Sequence, residues 1–137
     1  FLKDEIKFIE AYIELNQMRF ENKLSIKYTA PAEQEVVNIK VVPLVLITLV
    51  ENAFKHGELH EPEYPVKIIL ELNQSEQSLK FAVKNKKTSG PKERGHGIGL
   101  ENTISRLQNE YGNNYRLSFN DSGDHYDAEL IIQDIKS

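Results

Sequence analysis

Two short stretches of the 137-residue chain gather most of the side chains able to do chemistry: Glu51-Asn52-Ala53-Phe54-Lys55-His56-Gly57 and Gly95-His96-Gly97-Ile98-Gly99-Leu100. At about 3.6 residues per turn, Thr48, Asn52 and Lys55 share one face of a helix with Glu51 beside them. Leu44, Val45, Leu46, Leu49, Val50, Ala53 and Phe54 cover nearly all the rest. A helix this apolar belongs in a core, where an amide, a carboxylate and an ammonium lose hydration unless something polar meets them. The stripe therefore reads as facing a ligand, the alternative being a solvated face on a surface helix. In the second stretch, three glycines at alternate positions precede the helical pattern Leu100, Ile104, Leu107. Bare backbone N–H groups at a helix N-terminus favour an anion, and phosphate is the obvious candidate. The spacing is not that of a dinucleotide fingerprint, whose third glycine comes one residue later and directly after a strand. Nor is it a Walker A loop, which needs Gly-Lys-Ser/Thr.

The elements that must position these stretches are legible from periodicity. Leu2, Ile6, Ile9 and Ile13 recur at helical steps, with Phe8, Tyr12 and Leu15 as a neighbouring stripe. One face of this first helix can pack on the domain that follows while the other meets a partner helix; periodicity equally allows a helix folded onto its own core. Leu24 to Thr29 alternates as a half-buried strand and Pro31 ends it. A loop leads to Val42-Pro43, where the striped helix is expected to start, and Gly57 suits its end. Glu58 to Pro65 reads as an exposed connection. Val66 to Asn73 and Leu79 to Asn85 read as a hairpin, and Lys86 to Arg94 as a mobile loop that would serve as a short lid. Ile98 to Tyr111 is an amphipathic helix stopped by Gly112, followed by strands near Tyr115 to Phe119 and Tyr126 to Gln133 with Ser122-Gly123 in the turn. Helices alternating with antiparallel hairpins predict an α/β two-layer sandwich, one sheet face covered by helices.

Composition narrows the function classes. The absence of cysteine excludes disulfides, thiolate metal sites and a cysteine nucleophile. A net charge of −4 with no basic block argues against nucleic acid as a partner. The longest apolar run, Val41 to Val50, is too short to span a bilayer and contains Pro43. His56, His60, His96 and His125 lack paired-ligand spacing, so zinc is not expected. The chain starts at Phe1, inside a helical pattern and without a signal-peptide layout, and is expected to be a fragment.

Taken together, the two stretches resemble the N box and the second glycine box of sensor histidine kinases. Pro43-Leu44-Val45-Leu46 before the first, and Glu101-Asn102 through Arg106-Leu107 after the second, look like the LytS-type branch, and the resemblance covers almost the whole chain. It implies the Bergerat (GHKL-type) ATP-binding fold shared with gyrase and MutL: a mixed sheet covered on one face by helices, preceded by one amphipathic helix, with ATP between the helix layer and a lid. Residues 1–20 would be the C-terminal part of a dimerisation and phosphotransfer helix, and residues 21–137 the ATP-binding catalytic domain. By the same resemblance Asn52 is the Mg2+ ligand, Lys55 reaches a phosphate, and Glu51 orients a metal-bound water or pairs with Lys55. His56, Asn85, Gly95, Gly97, Gly99, Leu100 and Asn102 would surround ATP. Asn85 stands where the family usually has an aspartate accepting from the adenine amino group; a neutral amide would bind more weakly, and a turn is its other reading. Asn102 and Arg106 could face the phosphates or solvent.

The implied function is to present the γ-phosphoryl of Mg-ATP to a histidine upstream of the chain, so the fragment alone is expected to be inactive. The implied partners are a second copy, through the upstream helices, and a response regulator, with no nucleic acid. Contact with a membrane would come only through upstream segments, making this the cytoplasmic domain of a protein anchored in the inner membrane. Two alternatives stay open: a non-catalytic nucleotide- or partner-binding module of the same fold, or a GHKL ATPase. The second would place a glutamate one turn before Asn52, where this chain has Thr48.

Overall fold

A computed structural model describes residues 1–57, 59–60, 62–87 and 98–135. The elements run α1 (Leu2–Arg19), β1 (Ile26–Thr29), α2 (Glu33–Val36), α3 (Val45–His56), β2 (Val66–Asn73), β3 (Ser78–Lys86), α4 (Ile98–Tyr111), β4 (Tyr115–Ser122) and β5 (His125–Ile132). The strands form one sheet in the order β1-β2-β3-β5-β4. β1 pairs parallel with β2 and every other pairing is antiparallel, so the sheet is mixed.

Alternation along the strands decides which face is buried. Val66, Ile68 and Leu70 of β2, Leu79, Phe81 and Val83 of β3, and Leu130 and Ile132 of β5 all lie in the core. The register stacks them across the sheet, with Leu70 opposite Phe81 and Phe81 opposite Leu130. Lys67, Glu71, Lys80 and Lys84 fall between them and are exposed. The helices close the apolar face through Leu2, Ile6 and Ile9 of α1, Leu46, Leu49 and Val50 of α3, and Leu107 of α4. This is the expected two-layer sandwich.

Three local details differ from the sequence reading. The loop after Pro31 contains the one-turn helix α2, whose Glu35 carboxylate accepts the Ala32 N–H at 2.9 Å. Four residues are too few to carry a helical period. α3 starts at Val45 because Pro43-Leu44 make a turn, Leu44 taking a left-handed φ of 68°. Lys86 ends β3 and Lys87 is bridged to Gly57, so neither belongs to a free loop; the remainder of the expected lid, residues 88–94, lies outside the described residues.

Cross-links between helices hold the start of α3 in place. The buried Glu5 carboxylate of α1 accepts the Leu44 N–H at 2.7 Å, and the Tyr111 hydroxyl of α4 accepts the Val42 N–H at 3.0 Å. A carboxylate at this end of a helix also complements the macrodipole. Burial nevertheless raises the Glu5 pKa, with the Leu44 hydrogen bond pulling the other way. On the far side of α1, Glu10 accepts from the Tyr28 hydroxyl of β1 at 3.0 Å.

Glu5→Ala should destabilise the fold by about 1–3 kcal/mol in urea denaturation, because the Leu44 N–H loses its buried acceptor. Since the folded pKa lies above the unfolded one, the ionised form opposes folding, and that cost is absent at low pH and grows as pH rises through the folded value. Glu5→Gln keeps an acceptor without the charge. Its stability relative to wild type should rise as pH climbs from the ordinary carboxylate range through the raised folded value, and a flat difference would show that the carboxylate is not burdened by burial.

Candidate functional site

The polar stripe of α3 faces a cleft of about 540 Å3. Thr48, Glu51, Asn52 and Lys55 line one wall, Tyr12, Asn16 and Arg19 of α1 the other, and Leu100 in the first turn of α4 closes one side. Thr48 donates its hydroxyl back to the Leu44 carbonyl at 2.7 Å. Glu51 and Lys55 are exposed at the cleft and Asn52 is half-buried. Burial pushes the Tyr12 hydroxyl pKa up, and the nearby Glu51 charge adds to the rise.

Below the C-terminal half of α3 the site continues into the sheet. Burial raises the pKa of the Tyr126 hydroxyl on β5, and the Asn52 side chain beside it opposes the rise. Tyr126 is the register partner of Asn85 on β3. Asn85 is only 2% exposed. Its amide N–H donates to the Lys86 carbonyl at 3.3 Å, whereas its Oδ1 is buried without a hydrogen-bond partner among the described residues. Leaving such an acceptor unmet costs about 1–3 kcal/mol, which a ligand N–H would recover.

Gly57 seals this corner by close approach. Its φ of −91° is open to any residue, so the left-handed glycine cap is not its role. A Cβ there would lie 2.5 Å from the Ala53 carbonyl oxygen and 3.0 Å from Asn85 Nδ2. The adjoining Lys87 is held by the Asp121 carboxylate and by the Asp124 carbonyl, which accepts its N–H at 2.7 Å. The end of β3 is therefore tied to the end of α3 and to the β4–β5 turn.

The structure thus brings Glu51, Asn52, Lys55 and Leu100 around one cleft, whereas Asn85 does not line it and borders a separate cleft with Lys84, Lys86 and His125. Gly99 lies in the first turn of α4 and Asn102 is exposed one turn further on. Gly95, His96 and Gly97 lie outside the described residues, and His56 is described only as the last position of α3. Arg106 is half-buried in a different cleft, with Lys40, Pro43 and Tyr111, and so does not line the cleft of the polar stripe. The sequence reading missed Tyr126 and the α1 wall. Alternation along β5 shows that Tyr126 shares a face with Ala128 and Leu130, but pairing with Asn85 requires the order of strands.

No protein-family profile matches the chain. The sensor histidine kinase BtsS of Escherichia coli K12 is 26% identical over 126 residues, which cover 91% of this chain and 22% of BtsS. LytS of Enterococcus faecalis is 28% identical over 123 residues, covering 81% of this chain and 20% of LytS. The chain therefore spans about a fifth of the length of these relatives. Among solved structures, the catalytic domain of the histidine kinase ThkA superposes with a TM-score of 0.62 at 15% identity, over 96% of this chain and 92% of that one. Acinetobacter baumannii AdeS superposes with a TM-score of 0.54 at 16% identity, over 91% of this chain and 64% of AdeS. The chain is a homologue of the LytS and BtsS sensor histidine kinases. Its fold is that of histidine kinase catalytic domains.

Gly57→Ala tests the tight corner of the site. The added methyl meets a backbone carbonyl that cannot swing aside, so the variant should lose about 1–3 kcal/mol in chemical denaturation. Wild-type stability would show that the approach of α3 to Asn85 is looser than the geometry requires.

Proposed function

We propose that the chain is the ATP-binding catalytic domain of a two-component protein-histidine kinase, presenting the γ-phosphoryl of Mg-ATP to a histidine elsewhere in the parent protein. The observation that carries this reading is the cleft in which α3 sets Glu51, Asn52 and Lys55 beside the first turn of α4, in a fold shared with histidine kinase catalytic domains. Beside Gly57, at the C-terminal end of α3, the unmet Oδ1 of Asn85 suits the exocyclic amino group of adenine, a hydrogen-bond donor. In the cleft Lys55 supplies a point charge for phosphate, and the first turn of α4, with Gly99 and Leu100, supplies backbone N–H groups; Gly95 and Gly97, from the sequence before α4, and Asn102 are assigned to the same nucleotide. His56 and Glu51 complete the rim, Glu51 orienting water.

The described residues also suit magnesium. They contain no group of three His, Asp or Glu able to hold a metal by themselves. A cation here would take most of its ligands from phosphate and water, as magnesium does, with Asn52 supplying one carbonyl oxygen. Once bound, the ion neutralises charge on the transferring phosphoryl group. The chain's own residues hold and orient the nucleotide, and the nucleophile comes from outside. ATP hydrolysis is disfavoured, since Thr48 occupies the place of a general base and has its hydroxyl committed to the Leu44 carbonyl.

Residues 1–20 we assign to the end of a dimerisation helix, with residues 21–137 as the catalytic domain. α1 buries Leu2, Ile6 and Ile9 in the core, yet on another side Phe8, Leu15 and Met18 are 50%, 68% and 69% exposed. Phe1, Phe8 and Leu15 recur every seven residues, and Ala11 and Met18 share the interleaved position, which is the seam of a coiled coil. A second copy of the parent protein and a response regulator are the proposed partners. None of the described helices is long and apolar enough to cross a membrane; a cytoplasmic location, with inner-membrane anchoring by other parts of the parent, belongs to the proposal.

Calorimetry of ATP binding with and without magnesium tests the site. Wild type should bind Mg-ATP, and Asn52→Ala should lose at least about tenfold in affinity together with the magnesium dependence. Unchanged affinity would rule out the assigned pocket. Incubation with γ-labelled ATP tests the chemistry: the chain should neither release phosphate quickly nor label itself, and adding upstream sequence should give an acid-labile, base-stable phosphohistidine. Rapid phosphate release by the chain alone would favour an ATPase.

A further inference from the structure

The described helices pack on one face of the sheet, and the opposite face carries a row of like charges in a chain whose net charge is −4. The register sets Lys27 of β1 beside Lys67 of β2, and Lys67 opposite Lys84 of β3. All three are exposed. With neighbouring strands about 4.8 Å apart, the three lysines stand side by side within about 10 Å, and like charges directly opposite one another destabilise a sheet. The same face shows elsewhere how charges are arranged for solvent alone: Glu71 lies opposite Lys80, and Lys80 pairs with Glu129 at 3.8 Å. Lys27, Lys67 and Lys84 form no such pair among the described residues. Their row meets one carboxylate, Asp127, opposite Lys84.

The row lines a cleft of about 440 Å3 whose border is held in place. Tyr64 stands there between Pro62 and Pro65, residues with a fixed φ. The Lys86 ammonium lies 5.0 Å from the centre of the Tyr64 ring, and His125 meets that ring edge-on at 5.3 Å. The cation–aromatic contact keeps Lys86 as a fourth cation beside the row. We propose that this cleft docks an acidic segment of a partner protein, whose carboxylates pair with Lys27, Lys67 and Lys84 while Tyr64 supplies apolar contact. Charge selects that class of partner. Glu63 and Asp127 line the same cleft, so a bilayer or a polynucleotide, anionic at every step, would be pressed against them, whereas a segment with a few carboxylates can meet the lysines alone. The surface lies across the sheet from the α3 cleft, and the proposal stands apart from the nucleotide reading.

The probe is a dye-labelled peptide of alternating Glu and Ser, about eight residues long so that it outspans the row when extended. It is titrated with the 137-residue chain at low ionic strength and read by fluorescence anisotropy. Wild type should bind it, more weakly as salt is added, and should bind the peptide with Gln in place of Glu at least about tenfold more weakly. The double variant Lys67→Gln, Lys84→Gln should lose about five- to tenfold in affinity, which is what two exposed ion pairs supply together. Because the substitutions relieve repulsion, its melting temperature should equal or exceed that of wild type; a fall would show that the lysines serve the fold and would overturn the proposal. In nitrogen–proton spectra the peptide should move the backbone signals of Lys27, Lys67 and Lys84 and leave those of Asn52 and Lys55. Signals moved only in the α3 cleft, equal binding of the two peptides, or an unaffected double variant would each overturn the assignment. So would tighter binding of phosphatidylserine vesicles or of a single-stranded oligonucleotide than of the Glu peptide, since either would replace the acidic segment as occupant.

Discussion

The hydrogen bond from the Leu44 N–H to the buried carboxylate of Glu5 is the contact on which the arrangement of the site depends. α3 carries apolar side chains around most of its circumference, and a helix of that kind can rotate about its axis at little cost in buried area. What removes the freedom is polar anchoring at its two ends. At the start, Glu5 and Tyr111 take the Leu44 and Val42 N–H groups from two different helices. At the finish, Gly57 comes so close to Asn85 that no side chain fits. Between these anchors the rotation of the helix is set, and with it the direction in which Asn52 and Lys55 point.

The cost of this arrangement is concentrated where function needs it. Glu5 is a carboxylate held in a site that favours its protonated form. Asn85 keeps an acceptor buried and unmet among the described residues. A chain selected for stability alone would fill both positions with apolar residues of similar size. Their polarity is intelligible if one holds the helix that bears the site and the other waits for a donor on the ligand.

α1 joins this architecture to the proposed signalling role. Its inner face belongs to the catalytic core and its outer seam is exposed, so a change in how the seam pairs with another helix would be felt at Glu5, and through Glu5 at the start of α3. The same helix contributes Tyr12, Asn16 and Arg19 to the cleft. A partner on one face and a ligand on the other would thus be separated by the width of a single helix.

Local pattern alone determined a good deal. Alternation in Val66 to Asn73 marked β2 to the residue, and helical period with a terminal glycine marked α4. The stripe of Thr48, Asn52 and Lys55 was visible because a polar row on an apolar helix breaks the period that burial imposes. Other features were not legible, for reasons of range and of direction. α2 is shorter than one full period, and the turn at Pro43-Leu44 depends on an acceptor 39 residues away in sequence. Asn85 read equally well as a turn residue; its burial against Gly57 and its pairing with Tyr126 exist only once β5 is inserted between β3 and β4. Sequence period reports which face of an element is apolar, because that depends on neighbours along the chain. Which polar groups meet across that face depends on strand order and helix rotation, and those were decided by the tertiary structure.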